Sequence, residues 1–168
     1  QKWDGAYYAE KLKQQRFDLD DEKLKPYFQL EKVIDGVFGV AGKLFGLNFV
    51  EVTAIDLYHP EVQPYRVEDA EGNFVALFYA DYHPRPGKRG GAWMTSFKSQ
   101  QIKDGVNERP HVSIVCNFTR PTATKPSLLT FREVTTLFHE FGHALHGILA
   151  NTTYSGLSGT NVYWDFVE

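Results

Sequence analysis

The stretch from Thr130 to Leu149 constrains this chain most strongly, because it carries a complete set of signals for one long helix. Thr130 and Glu133 have the spacing of a capping box, in which two side chains bond the free backbone N–H groups at a helix start. We interpret Glu133 as this cap rather than as support for a ligand on the helix. The spacing predicts a helix that begins near Phe131 and, because apolar residues spread widely around it, is buried on most sides. The apolar residues are Val134, Leu137, Phe138, Phe141, Leu145, Ile148 and Leu149.

This helix contains the pattern His139-Glu140-Phe141-Gly142-His143. Histidines four residues apart lie almost one above the other on a helix, so both imidazoles can bind one Zn²⁺ at about 2.0–2.1 Å. Glu140 is rotated by about 100° from His139, which keeps its carboxylate beside the metal, where it can take a proton from water. The pattern predicts a single zinc ion bound by His139 and His143, with Glu140 as the catalytic residue. A surface helix that merely displays two histidines is the alternative.

The residues after His143 decide which class of zinc site is possible. In one class a glycine and a histidine follow the second histidine at three and six positions, but here those positions hold His146 and Leu149, so that class is excluded. His146 lies about 10 Å further along the helix axis than His139. One tetrahedral ion cannot easily hold all three histidines, so we expect His146 to be a buried or substrate-side residue with a hydrogen-bond partner.

The remaining class takes its third ligand from a glutamate on a later helix. The acidic residues available after His143 are Asp165 and Glu168. If residues 161–168 are helical, with Asn161 as the N-cap, these two share a face. We expect Glu168 to bind the metal and Asp165 to act at the helix start or to support a ligand.

Glycines in and near the predicted ligand helices indicate that another part of the chain or a substrate comes close to their backbone. Gly142 and Gly147 each cost a helix interior about 1 kcal/mol relative to alanine, which indicates that another backbone or a substrate lies against them. Gly156, Ser158 and Gly159 predict a flexible loop between the two ligand helices, able to touch a peptide backbone.

Upstream of residue 118 the hydrophobic period divides the chain into a helical and a strand-rich part. The expected fold is α+β, with N-terminal helices in residues 1–46, a small mixed or antiparallel sheet in residues 47–118 and zinc-ligand helices in residues 130–168. We expect these three parts together, residues 1–168, to form a partial catalytic domain. The predicted helices are residues 5–17, residues 18–25, which end at Pro26, and residues 29–45, which end at Gly46. In the first of these helices we expect Tyr7, Tyr8, Leu12 and Phe17 to face other elements. The predicted strands are residues 49–52, 65–68, 74–82, 92–97 and 111–118.

Within this sheet the segment 74–82 is our candidate for the strand along the cleft, because it is aromatic and precedes a glycine-rich loop. Residues 83–91 predict an exposed loop, and residues 98–110 a polar one. His83 and His111 are expected at a loop and a strand end. Cys116 is expected to be a small buried hydrophobe.

Composition excludes several classes of function. A formal net charge of −3 without a basic patch gives no reason to expect nucleic acid. The single cysteine forbids an internal disulfide, and no apolar run is long enough to span a bilayer. The chain shows neither an initiating methionine nor a signal peptide, so we expect an excerpt of a longer, monomeric, cytoplasmic protein, with a periplasmic location as the alternative.

Several runs of the sequence resemble the thimet-oligopeptidase family of zinc peptidases, and within it the peptidyl-dipeptidase branch. The resemblance implies that Glu168 is the third zinc ligand, that Glu140 is the catalytic glutamate and that short peptides are the substrates. It implies release of dipeptides from a free C-terminus or internal cleavage of oligopeptides, with oxyanion-binding side chains beyond Glu168. A non-catalytic zinc module and a metal-free, inert fragment stay open as alternatives. The runs are 136–147, 157–160 and 164–168, with 77–82, 90–94 and 115–118 upstream.

Overall fold

A computed structural model describes residues 2–17 and 21–168, which form an α+β fold with several helices and a small mixed sheet. The helices are α1 (Lys2–Phe17), α2 (Asp21–Leu24), α3 (Leu30–Phe45), α4 (Phe131–Ile148) and α5 (Trp164–Val167), with 3-10 turns at Lys25–Tyr27 and Ser155–Leu157. The strands are β1 (Asn48–Glu51), β2 (Gln63–Glu68), β3 (Phe74–Asp81), β4 (Trp93–Lys98), β5 (Gln101–Lys103), β6 (Val106–Glu108) and β7 (His111–Val115).

The main sheet has the strand order β1-β2-β3-β7-β4. β3 and β7 run parallel, with Leu77 opposite His111, and the other pairs are antiparallel. β4 therefore occupies an edge of the sheet, although it precedes β7 in the sequence. The β5–β6 hairpin replaces the polar loop expected at residues 98–110.

α3 and α4 cover one face of this sheet through an aromatic cluster. Phe38 of α3 stacks on Phe49 of β1, with ring centroids 4.2 Å apart. Phe141 of α4 meets Phe78 of β3 edge-on at 5.6 Å. Such pairs add about 0.5–1.5 kcal/mol each beyond the burial of their area. The cluster fixes α4 on the sheet and thereby fixes the side chains on its opposite side.

The N-terminal helices differ from expectation in two ways. α1 forms, but the four apolar side chains predicted to face other elements are exposed, because helical spacing shows which residues share a side and not whether a partner lies opposite. The second helix is short in its described part, and its residues 18–20 lie outside the described residues. α2 ends at Leu24, close to the predicted end before Pro26, and the proline lies in the 3-10 turn that follows, since proline is tolerated in a first turn. The four exposed side chains are Tyr7, Tyr8, Leu12 and Phe17.

α4 is buried on one side only, which corrects the expectation of burial on most sides. Leu137, Phe141 and Ile148 lie in the core, whereas Phe138 and Leu149 are exposed. Within residues 2–17 and 21–168, none of the helices combines the length and apolarity needed to cross a bilayer.

Candidate active site

The start of α4 is fixed by the predicted capping box. The Thr130 hydroxyl accepts a hydrogen bond from the Glu133 N–H at 3.2 Å, and the Thr130 N–H donates to Glu133 Oε2 at 2.7 Å. Leu137 and Phe141 then hold one side of the helix in the core. As a consequence, His139 and His143 lie on the opposite side of the helix, and Glu140 lies along the border of the core.

Three candidate ligand side chains meet at this side of α4. His139 Nε2 lies 3.0 Å from His143 Nε2 and 3.3 Å from Glu168 Oε2, while His143 Nε2 lies 3.8 Å from Glu168 Oε1. Two ligands that each lie 2.0–2.1 Å from one tetrahedral zinc ion are about 3.3–3.4 Å apart. The observed separations bracket this value, and two imidazoles with one carboxylate form a donor set that zinc accepts. The three residues therefore fit a zinc ion.

Exposure differs sharply within this cluster. The His139 side chain is 50% exposed, whereas the His143 side chain is 13% exposed and Glu168 is 42% exposed. The cluster thus opens to solvent on the side of His139 and Glu168. That opening leaves the ligand atoms of these two side chains accessible to solvent.

Glu140 closes the inner side of the same cluster. It is 7% exposed, and Met94 of β4 lies at the same cavity as Glu140. Burial raises the pKa of its carboxyl above the usual value, and His139 and His143 oppose that rise. A carboxylate with a raised pKa is a better proton acceptor than an exposed one. A cavity of about 200 Å³ lies in front of these groups and is lined by Ala92, Trp93, Met94, His139, Glu140, His143, Thr160, Val167 and Glu168.

The strand that borders this cavity is β4, not segment 74–82. β3 is hydrogen-bonded to β2 on one side and to β7 on the other, so it has no free edge. Its aromatic content reflects core packing of Phe78. β4 contributes Trp93 and Met94 to the cavity and has no strand on its outer side among the described residues.

The region after α4 is also organised differently from expectation. α5 spans one turn, Trp164–Val167, and its N-cap is Tyr163, so Asn161 is not the cap. The Asn161 side chain instead donates to the Ser155 carbonyl at 3.1 Å. Asp165 does lie in the first turn of α5.

The loop before α5 is anchored and not free. Ser158 is buried, and Gly159 lies against the backbone of Gly147. The close approach of a backbone is thus confirmed at Gly147 but not at Gly142, where a side-chain carbon would have no heavy atom within 4 Å; approach of a substrate to Gly142 stays a prediction.

The other histidines and the cysteine lie apart from the cluster. The His146 ring packs edge-on against Phe166 with centroids 6.0 Å apart. His83 Nδ1 lies 3.4 Å from the Phe118 carbonyl oxygen, and His111 begins β7. Cys116 is fully buried, as expected, and burial raises the pKa of its thiol to about 12.

A buried cluster of ion pairs at the end of β3 was not predicted from the sequence. Asp81 accepts two hydrogen bonds from the Arg85 guanidinium, at 2.7 and 2.8 Å, and one from Lys88 Nζ at 2.8 Å. Tyr58 donates a fourth at 3.0 Å. The segment 83–91, predicted to be exposed, therefore carries a lysine whose side chain is only 3% exposed. The sequence did contain a signal for this cluster. An acidic residue lies at an inward position of a strand, and cationic residues follow it four and seven positions later.

The fold and the site together define a class: an α+β protein in which an HExxH helix meets a carboxylate from a later helix beside an open sheet edge. The chain belongs to peptidase family M3, whose family model matches residues 1–168. This confirms the resemblance to the thimet-oligopeptidase family.

Several curated proteins align with the whole chain or nearly all of it. Dipeptidyl carboxypeptidase of Escherichia coli (strain K12) is 48% identical over 169 residues, which cover 100% of this chain and 24% of that protein. Oligopeptidase A of the same organism is 43% identical and covers 100% of this chain and 25% of that protein. Thimet-like oligopeptidase of Dictyostelium discoideum is 40% identical and covers 99% and 25%, respectively. The chain thus spans about a quarter of the length of these relatives.

Proposed function

We propose that this chain carries the metal centre and the general base of a zinc-dependent peptidase that hydrolyses peptide bonds in short peptides. The observation that carries the proposal is the meeting of three ligand side chains, with donor atoms 3.0–3.8 Å apart, beside a buried glutamate. His139, His143 and Glu168 hold one zinc ion, and Glu140 is the catalytic residue. The names of the relatives, all peptidases, support the same activity.

Each residue has a separate part in this chemistry. Zinc, when bound, polarises a carbonyl oxygen and lowers the pKa of a water molecule. Glu140 takes a proton from the attacking water at a carboxylate oxygen and delivers it to the leaving amine nitrogen. Burial of Glu140 keeps competing water away from it.

The open edge of β4 is suited to align the peptide. β4 pairs with β7 on one side only, and in an antiparallel pair alternate residues direct their backbone N–H and C=O groups to the partner strand, so the other residues of β4 direct theirs outward. An extended peptide can add to such an edge as a further strand through main-chain hydrogen bonds. This arrangement would place a peptide carbonyl beside the ligand cluster without any requirement for a particular side chain.

Release of dipeptides from a free C-terminus is the form of hydrolysis that we favour. Identity is higher with dipeptidyl carboxypeptidase than with oligopeptidase A of the same organism, at 48% against 43%. Internal cleavage of oligopeptides is the second candidate. Mass spectrometry of products from one peptide with a free or an amidated C-terminus separates them: dipeptides from the free form alone support the first, and equal cleavage of both forms supports the second.

Glu140→Gln in the full-length protein tests the catalytic role. We expect hydrolysis of a fluorogenic peptide to fall by about 10²–10⁴-fold, the usual contribution of a general base, while zinc remains bound. Zinc content measured by atomic absorption is the control. Unchanged hydrolysis would refute the catalytic role of Glu140, and loss of zinc together with activity would mean that Glu140 supports the metal centre rather than the proton transfer. A monomeric state, a cytoplasmic location and the absence of nucleic-acid and membrane partners stay predictions.

A further inference from the structure

Helix α4 and the loop that follows it touch backbone to backbone at two glycines. Gly159 has φ +58°, in the left-handed region, and a Cβ placed on it would lie 3.0 Å from the Gly147 Cα. A Cβ on Gly147 would in turn lie 3.2 Å from Val112 Cγ2 in β7. Loop, helix and sheet are therefore in contact at one point, and neither glycine has space for a side chain.

A buried glutamine holds the loop from the other side. Gln100 is fully buried, and its Oε1 accepts the Thr152 N–H at 2.7 Å. The Ser158 hydroxyl lies 3.4 Å from the same oxygen, and Gln100 Nε2 donates to the Thr152 carbonyl at 3.1 Å. The loop is thus tied to the sheet on both sides of its 3-10 turn, directly before Gly159.

The segment after Gly159 leads directly to Glu168. It contains the single turn of α5, and Phe166 of that turn packs against the His146 ring. Glu168 faces both histidines, nine residues after Gly159. Because this path is short, the direction in which the chain leaves Gly159 limits where Glu168 can lie.

We propose that the contact between Gly147 and Gly159 is a positioning device for the third metal ligand. It sets the path of the segment that brings Glu168 to His139 and His143, with Gln100 holding the loop in register. The inference rests on the proposed zinc centre. Gly159 touches neither metal nor substrate, so its role is to position Glu168.

Gly159→Ala in the full-length protein tests this role through zinc affinity, measured by competition with a chromophoric chelator. The added methyl group must displace the loop from Gly147, and displaced support for a ligand weakens metal binding by about 10- to 100-fold. Gly156→Ala is the matched control, because Gly156 lies in the same loop with no heavy atom within 4 Å of an added Cβ. Its zinc affinity should stay within about twofold of the wild type.

A double-mutant cycle with Glu168→Ala shows whether Gly159 acts through Glu168. If it does, Gly159→Ala causes no further loss once Glu168 is gone, whereas independent effects would add. A full second loss in the Glu168→Ala background, or wild-type affinity of Gly159→Ala, would overturn the positioning role. The circular dichroism of the zinc-free variants checks the fold. If Gly159→Ala does not fold, Gly159→Asn brings the same Cβ with less backbone strain, since asparagine tolerates left-handed φ.

Failure of the zinc centre itself has a different signature. If Glu168→Ala binds zinc as tightly as the wild type, Glu168 is not a ligand, and both proposals fall together. If Glu168→Ala weakens binding and Gly159→Ala does not, the zinc centre stands and only the positioning role is refuted.

Discussion

Replacing Asp81 by asparagine should destabilise the sheet strongly, although the new side chain has nearly the same shape. The carboxylate is 1% exposed and accepts hydrogen bonds from Arg85, Lys88 and Tyr58. Asparagine removes the charge and leaves Lys88 buried without its counter-ion. Removing one partner of a buried ion pair costs about 3–5 kcal/mol, because the remaining charge stays desolvated. We expect a loss of this size for Asp81→Asn.

Native-state hydrogen exchange of the β3 and β7 amides measures this loss in the full-length protein. A fall of 3–5 kcal/mol in the free energy of opening corresponds to about two to four decades in exchange rate. Glu61→Gln is the matched control: its carboxylate accepts two bonds from Arg120, at 2.6 and 2.8 Å, but the side chain is 37% exposed. An exposed pair is screened by water, so this variant should exchange almost as the wild type does.

Two outcomes would refute the reasoning about Asp81. Equal losses for Asp81→Asn and Glu61→Gln would mean that burial does not determine the cost of breaking a bidentate pair. Failure of Lys88→Met to restore protection to Asp81→Asn would mean that an uncompensated lysine charge is not the cause. Recovery in the double variant is the expected result, because it removes the unpaired charge while keeping most of the apolar stem.

Two further predictions concern titratable groups. Burial by itself raises the pKa of Asp81, but hydrogen bonds from Arg85 and Lys88 outweigh it and hold the pKa below its usual value of 3.8. The stabilisation of the fold by the Asp81 carboxylate is therefore complete above pH 3.8 and is lost as pH falls through the lower pKa of the folded state. The difference in urea midpoint between the wild type and Asp81→Asn should shrink on acidification. A difference that grows on acidification would contradict this prediction. Burial raises the pKa of Cys116 to about 12, so its thiol should react with iodoacetamide at about pH 8 only after unfolding. Mass spectrometry of the peptide that contains Cys116 measures this labelling. Rapid labelling of the native protein would count against the prediction.

Local signals made α4 predictable from the sequence. Its cap depends on residues three apart, and the juxtaposition of His139 and His143 depends only on the helical repeat. Burial was less predictable, because apolar residues such as Phe138 on the wheel do not reveal which side meets the sheet. The aromatic contact of Phe141 with Phe78 decides that, and it joins residues far apart in the chain.

Strand order was beyond local reasoning. β3 has the stronger strand composition, and an aromatic strand beside a cleft is a reasonable expectation. Its interior position follows from the parallel pairing with β7, which closes its second edge and leaves β4 at the rim. The pairing of Asp81 with Lys88 was hidden for a related reason, since a loop rich in proline, glycine and cations normally lies in solvent.

The site forms where three elements meet, and each supplies a different requirement of the proposed peptide hydrolysis. The core side of α4 fixes the helix, so His139, Glu140 and His143 need no contribution from the cluster to hold their positions. The β4 edge borders the cavity and offers outward backbone groups for a peptide. Glu168 comes from a third element, the short segment after Gly159. The donor set is completed only through that segment, which is why we expect the glycine contact to influence metal binding although it contains no ligand.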